Sequence, residues 1–172
     1  MKALNVKGTI ISNSQKGIYD YLKWESTAPK DILPQLTGSD PIQINVNSGG
    51  GLVSAGDEIY TALRDYAGKV IINIVGMAAS AASLIAMAGD EVNISPVGQI
   101  MIHNVSASAD GDYHDMDSVS AALQAANSAL ANGYAAKTGK SKDEILALMD
   151  KTTFLDADSA IKNGFADKKM FD

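Results

Sequence analysis

The sequence predicts an α/β fold in which a largely parallel β-sheet is flanked by helices. Residues 42–46 alternate between apolar and polar side chains, and residues 70–75 are β-branched, so both predict strands. The segment between them has helical spacing, and a strand, a crossover helix and a second strand build a parallel sheet. No linker or internal repeat divides the 172 residues, of which 46% are hydrophobic. We therefore expect one domain spanning residues 1–172.

Alternation and proline predict the first elements of the chain. Residues 4–11 alternate well enough for a first strand. Pro29 can stand in the first turn of a helix, which Pro34 would then end early. The strand at residues 42–46 has one polar face. The glycine-rich residues 47–51 that follow it are expected to form a tight loop with exposed backbone.

The middle of the chain is predicted to continue with a helix, a strand and a second helix. Residues 53–66 carry apolar side chains at helical spacing, and Gly68 would end this helix before the strand that begins at Val70. The nearly uncharged residues 70–89 are long enough to imitate a membrane span. Their first part, residues 70–75, is β-branched, however, and their second part, residues 78–88, is rich in alanine and other helix formers. This change predicts a buried strand followed by a buried helix, so we expect no membrane interaction.

The last part of the chain is predicted to be mainly helical. Two short strands are predicted at residues 91–94 and 99–103. A long amphipathic helix is then indicated by apolar residues at helical steps: Met116, Val119, Leu123, Ala126, Leu130 and Tyr134. Gly139 lies beyond its end, and residues 141–144 form a capping box that opens another helix. Asp156 is placed to cap a last short helix.

Charge and composition exclude several classes of function. The net charge is −6, the lysines are scattered and Arg64 is the sole arginine, so no basic face is available and we expect no nucleic-acid binding. The sequence has no cysteine, which excludes disulfides and thiolate metal sites. The acidic residues 110–117, which include His114, are better explained as a solvated helix start than as a cation site. We therefore expect no metal site.

Three segments combine reactive groups with exposed backbone. Glycines 49–51 would let amide N–H groups approach an oxyanion or a phosphate, although an ordinary turn explains them equally well, and no P-loop sequence follows. Ser80 stands where a strand gives way to a helix, and free N–H groups there favour a developing negative charge. Ser83 is interpreted as a packing residue. His103 ends an apolar strand, where a lone histidine is more often structural than catalytic. The order of the three segments is more specific than any one of them.

In this order the motifs resemble those of the ClpP family of serine peptidases, and especially the ClpP-like proteases of phage and prophage capsid modules. Residues 47–51 are similar to the family's Asn-Ser-Pro-Gly-Gly loop, with Gly49 in place of the proline. Residues 76–80 resemble the nucleophile motif, and residues 101–103 resemble the Met-Ile-His motif. Three further segments are typical of the phage branch: residues 86–90, 134–139 and 163–167. The resemblance covers residues 2–167.

The resemblance implies a spiral of strand-strand-helix units that assembles into a homo-oligomeric ring, a heptamer or a double ring, around the active sites. It implies that Ser80 is the nucleophile and His103 its general base. It places the oxyanion donors at the backbone N–H groups of Gly51 and Ala81. The expected substrates are proteins or peptides, such as phage capsid or scaffold proteins, and the expected location is the bacterial cytosol. No cofactor is expected, because an activated serine and water suffice.

The sequence departs from the family pattern in two places. The third member of the family's triad is an acid, but the alignment on residues 154–155 puts Thr152 there. A threonine hydroxyl can fix the imidazole tautomer but supplies no charge, so activity would be reduced. Asp150 would point the same way on a strand and could substitute for the acid. The first strand also starts within a few residues of Met1, without the axial segment of peptidases that serve an ATPase. We therefore expect no AAA+ ATPase partner.

Two alternative functions remain open from the sequence. A catalytically impaired ring protein would keep the fold and assemble for structural reasons, and Thr152 favours this alternative. A crotonase-type enzyme acting on acyl-CoA would share the spiral fold and the oxyanion loop. Such an enzyme, however, needs neither the Ala-Ala-Ser motif that ends at Ser80 nor the Met-Ile-His motif that ends at His103.

Overall fold

The computed structural model describes residues 1–171. In this part of the chain there are eight strands: β1 (Lys2–Ile10), β2 (Ser26–Thr27), β3 (Ile42–Gly51), β4 (Val70–Ala79), β5 (Glu91–Ile94), β6 (Gln99–Ile102), β7 (Thr153–Asp156) and β8 (Lys168–Lys169). The helices are α1 (Lys16–Leu22), α2 (Pro29–Ile32), α3 (Val53–Asp65), α4 (Ala81–Ala86), α5 (Tyr113–Thr138), α6 (Lys142–Asp150) and α7 (Ala157–Lys162). A 3-10 turn at Leu33–Gln35 follows α2.

The strands form one mostly parallel sheet, which confirms the predicted fold class. Its order is β2-β1-β3-β4-β5-β8, and every neighbouring pair in this order is parallel. Strand β4 has two partners on one side, because its first half pairs with β5 and its last three residues pair with β6. Strand β6 also pairs with β7, in the antiparallel direction. The end of β4 is therefore held between β3 and β6.

The core lies between one face of the sheet and the helices α3, α4 and α5. Alternate side chains of the central strands point into it, as the two-residue period of a strand requires, and Val6, Val46 and Ile72 are fully buried. Helix α4 is buried at every position from Ala81 to Ala86. Its close packing depends on Gly56 of α3, since a Cβ at that position would lie 3.0 Å from the Cβ of Ala81. The first turn of α4 is thus fixed between the sheet and α3.

Two predicted boundaries are wrong, and pairing with neighbouring strands explains both. The glycine-rich residues 47–51 were expected to form a loop, but they continue β3, with Gly50 opposite Thr9 and Gly51 opposite Ile10 of β1. The alanine-rich segment was expected to be helical from Ala78, but β4 continues to Ala79 because its end pairs with β6. Local composition favoured a loop and a helix, whereas the sheet contacts favour extended backbone.

Three predicted helix ends are confirmed by their caps, whereas α3 ends at Asp65, before the predicted stop at Gly68. Asp112 caps α5 by accepting hydrogen bonds from the N–H groups of His114 and Asp115, so the acidic residues 110–117 do form a helix start. Gly139 ends α5 in the left-handed conformation, and Asp156 caps α7.

None of the helices described is both long and apolar enough to cross a membrane. Among residues 1–171, no cluster of histidine and acidic side chains is suited to hold a metal ion.

Candidate active site

Ser80 occupies a strained turn between a strand and a helix. It follows the last residue of β4 and precedes the first residue of α4, with φ at +54° and ψ at −126°. Residues with a side chain rarely adopt positive φ, so the surrounding contacts must hold this conformation. One of them is the hydrogen bond from the Ser80 N–H to the carbonyl oxygen of Met101, at 2.9 Å. The turn leaves Ser80 half-buried at the edge of the sheet.

His103 lies beside Ser80 in the structure. It directly follows β6, whose residue Met101 pairs with Ala79 of β4. The carboxyl ends of these two parallel strands therefore meet at one edge of the sheet, with Ser80 after one strand and His103 after the other. The Nε2 atom of His103 is 2.8 Å from the Oγ atom of Ser80. This distance is within reach for direct proton transfer between the hydroxyl and the imidazole.

The glycines at the end of β3 pack directly against the Ser80 turn. A Cβ on Gly50, whose φ is +96°, would lie 2.7 Å from the Cβ of Ser80 and 3.2 Å from the backbone nitrogen of Ala81. Only a residue without a side chain fits between the two segments. The N–H of Gly50 donates to Ser48 Oγ at 3.1 Å. The end of β3 thus places Gly50 and Gly51 at the edge of the sheet that also carries Ser80.

The two candidates for the third triad member are not hydrogen-bonded to His103. Thr152 is exposed and lies one residue before β7, and the antiparallel register of β6 and β7 would place it opposite His103. We expected Asp150 to lie on a strand, but it is the last residue of α6. Its Oδ1 atom accepts a hydrogen bond from Asn104 Nδ2 at 2.9 Å. Within residues 1–171, the Nδ1 atom of His103 makes no hydrogen bond.

A buried hydroxyl pair lies behind Ser80, and the sequence analysis assigned it no role in the active site, since it interpreted Ser83 as a packing residue. Ser83 and Tyr134 are both fully buried, and their hydroxyl oxygens are 2.8 Å apart. Ser83 Oγ donates to the carbonyl oxygen of Ser80 at 2.6 Å. Burial raises the pKa of Tyr134 to about 12, so its phenol is neutral and can donate a hydrogen bond. The sequence pointed to this pair only through Tyr134, which belongs to the predicted apolar stripe of α5.

Comparisons with known proteins show the family to which the chain belongs. The family model described as Clp protease matches residues 15–171. The chain belongs to the Clp protease family. Proteins of this family are serine peptidases, so membership favours peptide hydrolysis over the acyl-CoA chemistry of the crotonase alternative.

One curated relative and one solved structure are similar to most of the chain. The ATP-dependent Clp protease proteolytic subunit 2 of Pseudomonas aeruginosa is 31% identical in an alignment 146 positions long, which covers 81% of this chain and 73% of that protein. The structure of a ClpP1 mutant from Listeria monocytogenes is similar with a TM-score of 0.82. The similarity covers 99% of this chain and 92% of that chain, at 21% sequence identity, and it supports the fold.

Proposed function

We propose that the protein is a serine endopeptidase that cleaves peptide bonds through an acyl-enzyme formed on Ser80. The observation that carries this proposal is the 2.8 Å contact between Ser80 Oγ and His103 Nε2 at the end of two paired strands. A serine hydroxyl is a weak nucleophile by itself, and an adjacent base activates it. In this chain His103 is that base.

The reaction follows the order of proton transfers that a serine–histidine pair permits. His103 Nε2 takes the proton of the Ser80 hydroxyl as Oγ attacks the peptide carbonyl carbon. The same proton then passes from His103 to the leaving amine nitrogen, the C–N bond breaks, and the acyl group stays on Ser80 as an ester. A water molecule gives a proton to His103 and attacks this ester. The acid product leaves, and the proton returns to Ser80.

The oxyanion of each tetrahedral intermediate would be stabilised by the backbone N–H groups of Gly51 and Ala81. Ala81 is the first residue of α4, where backbone N–H groups lack partners in the preceding turn and the helix dipole favours negative charge. Gly51 lies between two residues whose N–H groups already have acceptors. The N–H of Gly50 donates to Ser48 Oγ, and the N–H of Leu52 donates to the carbonyl oxygen of Ile10. Each oxyanion donor is worth about 3 kcal/mol of transition-state stabilisation.

A fluorophosphonate probe tests the proposed nucleophile directly. Ser80 Oγ displaces fluoride from the phosphorus atom, so an O–P bond forms, the P–F bond breaks and His103 takes the hydroxyl proton. We expect labelling of the wild-type protein at Ser80, located by mass spectrometry of its peptides. Ser80→Ala should abolish labelling, and His103→Gln should slow it by about 10⁴ or more, because the base is lost.

His114→Gln is the matched control for the base, because it removes the other histidine of the chain, which lies on the exposed first turn of α5. It should label at the wild-type rate. A wild-type protein that stays unlabelled, or labels on a serine other than Ser80, would contradict the proposed mechanism.

A second candidate function is a catalytically impaired member of the family that assembles for structural reasons. The observation that favours it is that, within the described residues 1–171, His103 Nδ1 makes no hydrogen bond. An imidazole without such a partner is not held in the tautomer that accepts the serine proton. We propose that Thr152 supplies this partner when the active site is assembled. Absence of labelling at Ser80 in intact oligomers would favour the structural function.

We propose that the protein works in the bacterial cytosol as a ring of seven copies, single or stacked, and that it processes capsid or scaffold proteins of a phage. The support for the phage substrates is the sequence resemblance at residues 86–90, 134–139 and 163–167. We further propose that it needs no AAA+ ATPase, although the Pseudomonas aeruginosa relative is named an ATP-dependent subunit. Mass measurement of the oligomer tests the ring, and recovery of a Clp-type ATPase in a pull-down would overturn the last proposal.

A further inference from the structure

The carbonyl oxygen of Ser80 is the centre of a hydrogen-bond cluster beneath the nucleophile. Within residues 1–171 it accepts the N–H groups of Ser83 at 2.9 Å and Leu84 at 3.3 Å, as expected at the start of a helix. It also accepts the hydroxyl of Ser83 at 2.6 Å. The hydroxyl of Tyr134 is 3.5 Å from the same oxygen and 2.8 Å from Ser83 Oγ. The shorter contact makes Ser83 Oγ the main partner of Tyr134.

These contacts form a directed chain of two hydroxyls. Each hydroxyl has one proton to donate, and Ser83 donates its proton to the Ser80 carbonyl oxygen. The tyrosine hydroxyl therefore donates to Ser83 Oγ, and the order is Tyr134, Ser83, Ser80. Both side chains are fully buried, so water does not compete for these bonds. In a dry environment such bonds are stronger, and each polarises the next.

The position of this chain matters because the Ser80 carbonyl and the Ala81 N–H belong to the same peptide group. A trans peptide is planar, and its C=O and N–H bonds point in opposite directions. Fixing the oxygen of Ser80 on one side therefore fixes the direction of the Ala81 N–H on the other. A hydrogen bond donated to the oxygen also draws electron density from the amide and makes its N–H a better donor.

We propose that Ser83 and Tyr134 are positioning residues that orient and polarise the Ser80–Ala81 peptide so that its N–H can hold the oxyanion. This inference rests on the proposed function, in which that N–H is an oxyanion donor. The helix alone holds the peptide weakly, because α4 has six residues and its preceding residue, Ser80, is strained at φ +54°. The link to α5 through Tyr134 adds a contact from a second, longer helix.

The test compares fluorophosphonate labelling in Ser83→Ala and Tyr134→Phe with labelling of the wild-type protein. The phosphonyl oxygen develops charge in the transition state of labelling, as a peptide oxyanion does. Removing a transition-state contact lowers the maximal labelling rate constant, kinact, and leaves the probe's binding constant, KI, unchanged. We expect kinact to fall about tenfold in Ser83→Ala, the effect of one buried hydrogen bond, and less in Tyr134→Phe. A merely structural role would change the fraction of labelled protein or its melting temperature, but not kinact.

A double variant tests the order of the two hydroxyls in this chain. Because Tyr134 acts mainly through Ser83, the double variant Ser83→Ala/Tyr134→Phe should have a kinact close to that of Ser83→Ala alone rather than the product of the two effects. Thr27→Val is the matched control. It removes another buried hydroxyl that bridges backbone groups, those of Lys7, on a strand separated from β4 by β1 and β3. It should keep the wild-type kinact.

The outcomes separate this inference from the proposed function. Wild-type kinact in Ser83→Ala, with full labelling at Ser80, would overturn the positioning role and leave the nucleophile in place. No labelling of the wild-type protein would instead overturn the proposed function. A crystal structure of the double variant then decides the positioning role independently. A rotated Ser80–Ala81 peptide supports it, and an unchanged peptide with φ of Ser80 still near +54° contradicts it.

Discussion

At the scale of single residues, the close packing of Gly50 against Ser80 restricts the conformation of the nucleophile as much as its hydrogen bonds do. The N–H of Ser80 is bound to β6, and its carbonyl oxygen is bound to α4 and to the hydroxyl pair. Gly50 closes the remaining side, because the backbone of β3 touches the turn itself. A residue held from three sides can keep the strained positive φ that aims its Oγ at His103.

The first prediction concerns this contact. In Gly50→Ala, the new Cβ would lie 2.7 Å from both the carbonyl oxygen of Ala79 and the Cβ of Ser80, and the φ of +96° is unfavourable for alanine. Backbone must shift, and the Ser80–His103 distance must change with it. We expect kinact for the fluorophosphonate to fall by about 10² or more, as small displacements in active sites do.

Gly49→Ala is the matched control for that prediction. Gly49 is exposed, and a Cβ there would meet no atom within 4 Å. The control should label at the wild-type rate and melt at the wild-type temperature. Equal labelling of the two variants would show that Gly50 does not determine the position of Ser80.

The pairing of Ser80 with His103 was expected from the order of the motifs, which resembles that of the ClpP family, because a lone histidine after an apolar strand is by itself more often structural. The hydroxyl pair could not be predicted, since Ser83 and Tyr134 are 51 positions apart and meet only through the packing of α4 against α5. The contact between Gly50 and Ser80 likewise depends on the register of β3 and β4. Sequence patterns report the period of each element, but not the distance between two of them.

At the scale of elements, the junction between α6 and β7 determines which residue can act as the third triad member beside His103. Ile102 pairs with Thr153, so the next position of the same antiparallel register places His103 opposite Thr152. Thr152 has φ at +52°, which is unusual for a β-branched residue and better tolerated by aspartate. The backbone at this position therefore suits an acid better than it suits the threonine that is present.

The second prediction follows from that register. Thr152→Asp should place a carboxylate opposite His103 and raise kinact at least about tenfold, because loss of the acid in a related triad costs roughly 10⁴. The control is Asp150→Asn, which removes the charge of Asp150 but keeps the oxygen that accepts from Asn104. It should leave kinact unchanged. A large loss in Asp150→Asn, with no gain in Thr152→Asp, would identify Asp150 as the acid instead.

Elements with strong local signals were predicted well, and elements defined by their neighbours were not. Helices α5, α6 and α7 each begin at a capping side chain that the sequence displays, and α3 has a clear apolar period. Strands β2 and β8 are two residues long and exist only through pairing with β1 and β5. Helix α1 has no side-chain cap and no buried residue, so it lacks the apolar stripe that marks a helix in sequence.

At the scale of the whole molecule, α5 extends beyond the core of its own chain. Its buried residues are confined to its last third: Leu130, Ala131, Gly133 and Tyr134. Its apolar stripe nevertheless continues towards the N-terminus through Met116, Val119 and Leu123, which are exposed or only partly buried. In proteins, a helix takes most of its stability from the packing of its apolar face. A second copy of this chain can supply that contact, as the proposed ring requires.

The last prediction tests whether this stripe joins copies of the chain. Leu123→Lys places a charge on the apolar stripe, and burying an unpaired charge between subunits is costly, so the oligomer should dissociate to smaller species. Gln124→Lys, one position further along α5, adds the same charge on the exposed side and should keep the wild-type mass. Sedimentation velocity measures both, and circular dichroism checks that each variant stays folded. If both variants keep the wild-type mass, the N-terminal half of α5 does not hold the subunits together.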